Sequence, residues 1–539
     1  MKKKKLFFRL FYVTLLLNFV FINSAFTQDL IWQFSMNSGS SAWVERLTII
    51  NDVSGNGIQD VIAGTQKSVW KVCCIEGATG NLIWDYDMLI FRPVSDLKTI
   101  EDLNNNGSQE VLVAEGYPSV IPPIPPEGPK LFCLDGENGN EIWSFTPDPQ
   151  GYITAIDVIS DVTGDGVTDV IADSYNYWVS LVDGSNGNQV WTSSVPAKWI
   201  FAVSSIGDVN NDGLCDVLIG TYDDPGIETG AYCFSGADGA MIWARTIGNI
   251  QTNCVKNIPD INNDGKEDVL AGTMDGVMYA LSGENGSIIW TTATGTGQII
   301  QEVVITQDIT GDGKNEVIAG SWDDNVYCFD GASGSILWTY EVVNWVHTVG
   351  IIEDISGDGV KDILVGDRGN AIGGGVYTGS VYCLDGAAGT LMWSYQTGDM
   401  VWAVSQIEDV NGNGASDVIA GSDDGYVYSL EGNQNVGIED EDMTVSSINS
   451  LSQNYPNPFN PETTIKFTTT DSDKNTEIII FSFNGQKIKT LVDKKLESGL
   501  HEVVWDGTDN SGNPVSSGIY FYKMQNNSLN ETKRMILLR

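Results

Sequence analysis

The chain has 539 residues, too many for one ordinary hydrophobic core, so size alone predicts at least two folded units. It carries 71 acidic and 28 basic residues, a net charge of −43, which argues against nucleic acid or an anionic membrane surface as partners. Two interpretations of this acidity stay open, namely solubility or carboxylates that hold divalent cations.

Residues 1–27 have the order of a secretory signal peptide: lysines at 2–5, an apolar run over 10–22, then small and polar residues. We expect cleavage after Thr27. An uncleaved membrane anchor is the alternative, but it needs a longer apolar run. No later segment approaches spanning length, so we expect no transmembrane segment in the mature chain and a location outside the cell or at its surface.

Nine-residue acidic loops recur along the chain at intervals of 46 to 59 residues. A typical copy reads DVTGDGVTD, from Asp161 to Asp169. The eight copies begin at Asp52, Asp102, Asp161, Asp208, Asp260, Asp308, Asp354 and Asp409. A fixed period of this size predicts a repeat architecture in which each copy is one supersecondary unit.

Each loop lies between two apolar segments of strand character, and two further strands precede the next loop. Seven repeats end in a tryptophan after a GxxGxxxW stretch: Trp84, Trp143, Trp191, Trp243, Trp290, Trp338 and Trp393. The eighth repeat lacks one, and the segment DLIWQF near the N-terminus supplies Trp32. We therefore predict an all-β fold with an eight-bladed β-propeller over residues 29–435, closed by pairing of the Trp32 strand with the last blade.

The GxxGxxxW strand endings resemble the tryptophan-docking repeats of PQQ-type (quinoprotein-like) propellers. The DxxxDG loops followed by VIAGS resemble the FG-GAP repeats of integrin α-subunit propellers. These resemblances imply the fold and leave the activity open, because propellers carry many functions.

An acidic linker over residues 436–450 separates this region from a different composition at the C-terminus. Residues 451–539 combine PNPFNP, alternating strands with Asn-Gly or Ser-Gly turns, and a basic-apolar end, which predicts a small Ig-like β-sandwich. This segment resembles the C-terminal sorting domain of type IX secretion cargo, related to FlgD-like immunoglobulin folds. The resemblance implies export across a bacterial outer membrane, with the type IX machinery as a partner.

The oxygen-rich spacing of the acidic loops predicts calcium sites, because Ca²⁺ takes about six to eight oxygen ligands and a glycine allows the sharp turn. In the third loop the side-chain oxygens of Asp161, Thr163, Asp165 and Asp169 and the carbonyl of Val167 can converge on one ion. Four further loops with Asp at position five give Asp208, Asn210, Asp212, Asp216; Asp260, Asn262, Asp264, Asp268; Asp308, Thr310, Asp312, Glu316; and Asp354, Ser356, Asp358, Asp362. Three loops carry Asn at that position and give Asp52, Asn56, Asp60; Asp102, Asn106, Glu110; and Asp409, Asn413, Asp417.

We expect calcium to be structural, since the first and last carboxylates of a loop would repel each other without a cation. Magnesium suits the loops less because it requires stricter octahedral geometry. The alternative is a hairpin turn in which Asp and Asn bond only their own backbone.

The opposite face of the propeller is the candidate ligand face. Its loops between second and third strands are enlarged at residues 115–130, 221–230 and 367–380. Aromatic rings enter the first strands near this face at Trp43, Tyr152, Trp199, Phe201, Trp345, His347 and Trp402. These rings could stack on sugars or frame a peptide, and packing between blades is the alternative.

The catalytic inventory is small. His347 and His501 are the two histidines, and no GxSxG, HExxH or phosphate-binding glycine motif occurs. The adjacent Cys73 and Cys74 are similar to the cysteine pair of some quinoprotein dehydrogenases, but drift of the repeat explains both. We therefore predict a non-catalytic, calcium-stabilised binding or adhesion module with an unknown extracellular glycan or protein ligand. A secreted polysaccharide hydrolase or lyase, a quinoprotein dehydrogenase and a scaffold without a ligand are the alternatives.

Overall fold

The computed structural model divides into two compact units, Met1–Asn435 and Val436–Arg539. It describes residues 26–36, 42–67, 69–88, 92–116, 128–148, 151–174, 177–196, 199–222, 229–247, 251–295, 297–373, 376–432, 450–451, 459, 461–469, 475–482, 486–496, 499–525 and 530–537. Every regular element in these residues is a strand, which confirms the predicted all-β class. Within the same residues, no helix has the length and apolarity needed to cross a membrane. Most of the predicted signal peptide and nearly all of the predicted linker lie outside them.

The described part of the first unit contains eight blades, each built on four antiparallel strands and numbered 1 to 8 in chain order; blade 8 takes its fourth strand from the N-terminus, and a short parallel strand adds to the sheet of blade 7. Their first strands are Val44–Ile50, Val94–Ile100, Ile156–Ile159, Trp199–Ile206, Thr252–Ile258, Ile300–Ile305, Val346–Ile352 and Val401–Ile407. Their second strands are Asp60–Thr65, Glu110–Glu115, Asp169–Ser174, Asp216–Tyr222, Asp268–Thr273, Val317–Ser321, Asp362–Asp367 and Asp417–Ser422. Their third strands are Lys71–Ile75, Leu131–Leu134, Trp178–Val182, Gly230–Phe234, Val277–Leu281, Asn325–Phe329, Ser380–Leu384 and Tyr426–Leu430. Their fourth strands are Leu82–Asp87, Glu141–Phe145, Gln189–Ser194, Met241–Thr246, Ile288–Ala293, Ile336–Glu341, Leu391–Gln396 and, for blade 8, Leu30–Ser35.

Burial differs between the strands of a blade because both faces of each sheet pack against neighbouring blades. The second strand of blade 1, Asp60–Thr65, is buried along its whole length. The fourth strand, Leu82–Asp87, alternates, with Trp84 as its buried residue. Apolar clusters therefore form between blades, for example where Cys74 of blade 1 packs with Phe132 of blade 2.

The blades form a closed ring. Each first strand contacts the first strand of the next blade, and Val401–Ile407 of blade 8 contacts Val44–Ile50 of blade 1. Leu30–Ser35 pairs antiparallel with Tyr426–Leu430, which confirms that the Trp32 strand joins the last blade. The short strand Phe26–Thr27, upstream of Leu30–Ser35, pairs in parallel with the outer strand of blade 7.

Each fourth-strand tryptophan joins its blade to the next. Trp84 Nε1 donates to the carbonyl of Gly136, 2.7 Å away in blade 2, and Trp32 Nε1 donates to Gly77 of blade 1 at 2.7 Å. The same bond occurs at Trp143, Trp191, Trp243, Trp290, Trp338 and Trp393. The glycine is required by close backbone approach, since a Cβ on Gly184 would lie 1.9 Å from the Thr168 carbonyl oxygen.

The second unit, taken by itself, has two sheets. One contains Ser450–Leu451, Thr463–Thr469 and Gly499–Trp505. The other contains, in spatial order, Lys487–Lys495, Asn475–Ser482, Gly518–Gln525 and Asn530–Leu537. Side chains of both sheets meet in one core that includes Phe467, Trp505, Ile480 and Tyr522. The arrangement is the β-sandwich that the turn pattern predicted.

Candidate functional site

The acidic loops are held by hydrogen bonds from their own backbone. In the third loop Asp161 Oδ1 accepts from the N–H groups of Gly164 at 2.6 Å and Asp165 at 3.2 Å, and its Oδ2 accepts from Gly166 at 2.8 Å. These bonds, that of Gly166 first, hold the pKa of Asp161 below its usual range. The same pattern recurs at Asp308 and Asp354. The first carboxylate therefore shapes the turn.

The ninth residue of each loop is a fully buried carboxylate that accepts backbone N–H groups of the loop, and in every blade but the sixth it also accepts from the glycine turn, whereas Glu316 Oε2 has no partner among the described residues. Asp169 Oδ2 accepts from the N–H groups of Val162 and Thr163 at 2.8 and 2.9 Å, and its Oδ1 accepts from Gly184 at 3.1 Å. All eight ninth residues are 0% exposed. Burial raises the pKa of Asp216, Asp362 and Asp417 to about 6. The acidic loops and the glycine turns between third and fourth strands thus share one face, the loop face.

The fifth residue is exposed in every loop, and its partner in the glycine turn differs from blade to blade. Asn at position five donates to an acid in the pairs Asn56–Glu76, Asn106–Asp135 and Asn413–Glu431, at 2.8 to 2.9 Å. Asp at position five accepts from a serine hydroxyl in the pairs Asp212–Ser235 and Asp264–Ser282, at 3.2 and 3.0 Å. In the other three blades the equivalent residues are both acids: Asp165 and Asp183, Asp312 and Asp330, Asp358 and Asp385.

The donors of the loops fit a calcium ion in part. Thr163 Oγ1 lies 3.4 Å from Asp161 Oδ1 and 3.5 Å from Asp169 Oδ1, so three oxygens adjoin one another. Among the described residues, however, no three Asp, Glu, His or Cys side chains come together as a metal site. A cation would depend on hydroxyl and backbone carbonyl oxygens as well, Val167 included. Each loop shows the hydrogen-bonded turn of the alternative interpretation, and calcium stays a prediction.

The first strands of all eight blades line a central cavity of about 390 Å³. Its wall carries opposite charges, with Arg46, Lys98 and Lys256 alongside Asp96 and Glu302. Lys98 Nζ lies 3.5 Å from Asp157 Oδ1, and Glu302 Oε2 accepts from the Val349 N–H at 3.1 Å. One ion pair therefore joins opposite charges of the wall, and Glu302 is satisfied by backbone instead.

The predicted aromatic residues divide between the channel and the packing around it. Phe201, His347 and Trp402 line the cavity. Trp199 stacks on Tyr222 with ring centroids 5.0 Å apart, Trp43 is covered by Lys67 Nζ at 3.8 Å, and Tyr152 is buried. The channel mouth is defined here as the end of the channel formed by His347 and Trp402 together with the rings that contact them.

A row of rings and one guanidinium extends from these two residues. His347 stacks on Trp402 at 3.9 Å, and the Trp322 ring lies 6.1 Å from His347. Trp322 stacks on Trp345 at 4.6 Å with an interplanar angle of 2°. Arg368 Cζ lies 4.1 Å above the Trp345 ring and 4.2 Å above the Tyr377 ring. Blades 6, 7 and 8 thus contribute one continuous cluster, the mouth cluster, formed by Trp322, Trp345, His347, Arg368, Tyr377 and Trp402.

Comparison with known proteins agrees with this geometry. The family model described as outer membrane protein assembly factor BamB, a PQQ-like propeller repeat, matches residues 24–258, 176–343 and 273–434. This chain belongs to the family of BamB-like, PQQ-like repeat propellers. The model of the FlgD Ig-like domain matches residues 457–529, so the propeller is followed by an Ig-like domain.

Solved structures resemble this PQQ-like repeat propeller in fold alone. The computationally designed Ika8 protein has a TM-score of 0.53 and 14% sequence identity, with coverage of 75% of this chain and 99% of the designed one. Sqt1 of Saccharomyces cerevisiae has a TM-score of 0.57 and 10% identity, with the same two coverages. No curated protein sequence matches the chain.

Three members of the mouth cluster of this PQQ-like repeat propeller are not predicted from the sequence. Trp322 stands in SWDD where the equivalent turns read TMDG and SDDG, so an out-of-pattern tryptophan was the available signal. Arg368 and Tyr377 belong to the enlarged loop at 367–380, which the sequence predicts as part of the ligand face without indicating these two side chains. The middle portions of the other two enlarged loops, residues 117–127 and 223–228, lie outside the described residues.

Several polar atoms of the mouth cluster are buried and lack a hydrogen-bond partner among the described residues. They are Trp322 Nε1, His347 Nδ1, Arg368 Nε and Trp402 Nε1, although Trp402 does interact with the buried Asp423 carboxyl. His347 is only 4% exposed, and its burial, with the charge of Arg368, lowers its pKa to about 3. The imidazole is therefore neutral at physiological pH.

The two adjacent cysteines give no support to redox chemistry in this propeller. Cys73 and Cys74 are both buried and free, as are the repeated cysteines of the third strands. Burial raises the pKa of Cys73 to about 12 and raises that of Cys74 further. Both thiols therefore stay protonated and behave as small apolar side chains.

Proposed function

We propose that this protein is an exported, non-catalytic binding or adhesion module whose ligand contacts the channel mouth. The observation that carries the proposal is the contrast between several unpartnered nitrogens gathered at the mouth and the buried carboxylates of the loop face, of which Glu316 alone leaves an oxygen without a partner among the described residues. Buried polar groups are rarely left without partners in a folded protein, and exceptions need a reason. A bound ligand supplies one.

The matching family is that of an outer membrane protein assembly factor, which supports a binding role over a catalytic one. The closed ring supports it too, because a propeller presents a rigid mouth with little reorganisation on binding. The ligand we expect is an extracellular glycan or protein.

An array of glycans and matrix proteins tests this function when it is probed with the full chain and with Trp402→Ala. We expect specific spots for the parent protein that weaken for Trp402→Ala. Tyr177→Ala, at an exposed ring outside the mouth cluster, is the matched control and should bind as the parent does. An array on which no spot depends on Trp402 would overturn the proposal.

A secreted polysaccharide hydrolase or lyase is the second candidate, and one observation favours it. Glu45 of blade 1 and Asp423 of blade 8 are buried, and the charge of Glu45 contributes to the raised pKa of Asp423. Burial raises the pKa of Glu45 to about 7 and that of Asp423 to about 8, values suited to a general acid. Release of reducing ends from a polysaccharide panel, abolished in Glu45→Gln, would select this candidate over the binding module.

We further propose that calcium stabilises the propeller, most strongly at the three blades with paired acids. In five blades a hydrogen bond joins position five to the glycine turn, so no cation is needed there. In blades 3, 6 and 7 two carboxylates occupy these positions, and a divalent cation would remove their repulsion.

Calorimetric titration of the chelated protein tests the calcium proposal. We expect about three sites, and Asp183→Ser, which copies the Asp–Ser pair of blades 4 and 5, should remove one. Asn413→Asp is the reverse change and should create a site in blade 8. Identical melting curves with calcium and with chelator would contradict a structural ion.

Export is the last part of the proposal. The signal-peptide pattern over residues 1–27 and the FlgD Ig-like match at 457–529 support secretion through a type IX system. In a bacterium with that system, the full chain should reach the medium or cell surface, and a chain ending at residue 450 should stay in the periplasm. Equal export of both chains would remove the sorting role.

A further inference from the structure

Arg368 forms no ion pair within the described residues, although the chain has 28 basic and 71 acidic residues. Other basic residues of the propeller either pair with acids, as Arg92 does with Glu115 at 3.2 Å and Lys98 with Asp157 at 3.5 Å, or donate to backbone carbonyls, as Arg46 and Arg245 do. Among the described residues, no ion pair joins Arg368 to a carboxylate. Arg368 differs from Arg46 and Arg245 because its buried Nε has no acceptor of any kind among the described residues.

The guanidinium of Arg368 is held in a fixed orientation. It lies between the rings of Trp345 and Tyr377, at 4.1 and 4.2 Å, and one terminal nitrogen donates to the Tyr377 hydroxyl. Its Nε is buried and has no acceptor among the described residues. Stacking fixes the plane of the fork and leaves donors unused, so the group is preorganised for an anion.

Besides Trp402 Nε1, two more nitrogen atoms of the cluster lack hydrogen-bond partners among the described residues. Trp322 Nε1 can only donate, whereas Nδ1 of the neutral His347 can donate or accept. Trp345 contacts both Trp322 and Arg368, and Trp322 contacts His347, which lines the channel. These nitrogens and Arg368 Nε therefore belong to one contiguous cluster at the channel mouth.

We propose that the mouth cluster binds a carboxylate-bearing saccharide, a uronic-acid glycan, with Arg368 receiving the carboxylate. This inference rests on the proposed binding function and names its ligand class. A guanidinium fork matches a carboxylate in geometry and charge. The sugar ring adds hydroxyl groups that both donate and accept, which suits the donor of Trp322 and the neutral imidazole of His347.

Titration of the full chain with tetragalacturonate tests the inference, with maltotetraose as the neutral saccharide and a tetraglutamate peptide as the non-saccharide acid. We expect tetragalacturonate to bind, and Arg368→Gln to weaken it about 10-fold to 100-fold. Arg368→Lys keeps the charge without the fork and should be intermediate. Lys67→Gln is the matched control, because Lys67 also covers a tryptophan but lies outside the cluster.

A second variant protects the test against misfolding of the Arg368 variants. Trp322→Phe keeps a ring for stacking and removes one donor, so it should weaken tetragalacturonate a few-fold while leaving the melting temperature unchanged. All titrations are repeated with chelator, because calcium can bridge a uronate to acidic loops.

The outcomes separate this inference from the function on which it rests. Binding of maltotetraose equal to that of tetragalacturonate, insensitive to Arg368, leaves the binding module standing and overturns the uronate site. Equal binding of tetraglutamate overturns the saccharide class. Binding that disappears with chelator and ignores Arg368→Gln assigns the contact to the loop face and overturns the inference. Failure of every ligand on the array overturns the binding module itself.

Discussion

The two faces of the propeller differ in how closely the blades repeat one another. On the loop face, both oxygens of Asp169 accept backbone N–H groups, and equivalent bonds recur at Asp216, Asp268, Asp362 and Asp417. At the channel mouth, residues at equivalent positions differ from blade to blade, and nitrogens of Trp322, His347 and Arg368 lack partners in the part of the chain that the structure describes. Repetition therefore stabilises one face, and we propose that departure from repetition equips the other for recognition.

The largest test of this comparison addresses the glycine turns of the loop face. Gly184→Ala should lower the free energy of unfolding by about 3 kcal/mol or more, because its Cβ would meet the Thr168 carbonyl oxygen. Gly164→Ala, in the acidic loop of the same blade, meets no atom within 4 Å and differs only in its positive φ of 80°. It should cost about 1 kcal/mol. Denaturant unfolding measures both, and equal losses would contradict a close-packed joint.

A pair of tryptophan variants compares the faces directly. Trp32→Phe removes the bond from Nε1 to the Gly77 carbonyl that closes blade 8 onto blade 1, and leaves a buried acceptor unpaired. We expect a loss of about 2 kcal/mol in unfolding free energy. Trp322→Phe removes an indole N–H that has no partner among the described residues. Its cost should stay below about 0.5 kcal/mol. A larger loss for Trp322→Phe than for Trp32→Phe would reverse the comparison.

The last test uses the pH dependence of folding stability where blade 8 contacts blade 1, at Asp423. Burial, then the charge of Glu45, raises the pKa of Asp423 from 3.8 to about 8. Because the folded state then binds the proton more tightly than the unfolded state, this group stabilises the fold below about pH 4, and the contribution is lost as pH rises towards 8.

Thermal melts of the parent and of Asp423→Asn from pH 5 to pH 9 measure this term. The parent melting temperature should fall more steeply with pH, by roughly 5 °C over the window. The variant keeps the neighbouring acids Glu45, Asp399 and Asp424, so the difference between the slopes isolates Asp423. Parallel slopes would show that Asp423 titrates normally.

Much of the fold followed from local rules in the sequence. The period of the acidic loops, the glycine turns and the fourth-strand tryptophans specify strands and joints, and the missing eighth tryptophan pointed to the Trp32 strand. The Ig-like domain followed from turns and alternation in the same way. These features can be predicted from the sequence because each meets a local requirement that recurs in every repeat, such as a buried ring or a carboxylate that accepts backbone N–H groups.

The candidate site followed from the sequence only in part. His347, Trp402 and Phe201 were predicted near the mouth and line the channel. The sequence did not predict Trp322, Arg368 or Tyr377, because they join the site through ring and guanidinium contacts that no residue spacing indicates. Ring stacking, and the lack of an ion pair at Arg368 among the described residues, depend on how neighbouring chain segments approach each other.

The sequence by itself determined the all-β class, the strand that closes the ring and the face that carries the acidic loops. Tertiary structure alone decided which aromatic rings gather at the channel, which carboxylates are buried and which nitrogens lack partners. The physical reason is range. Turns, caps and alternation act over a few residues, whereas burial and unpaired polarity arise where chain segments about 50 residues apart pack together.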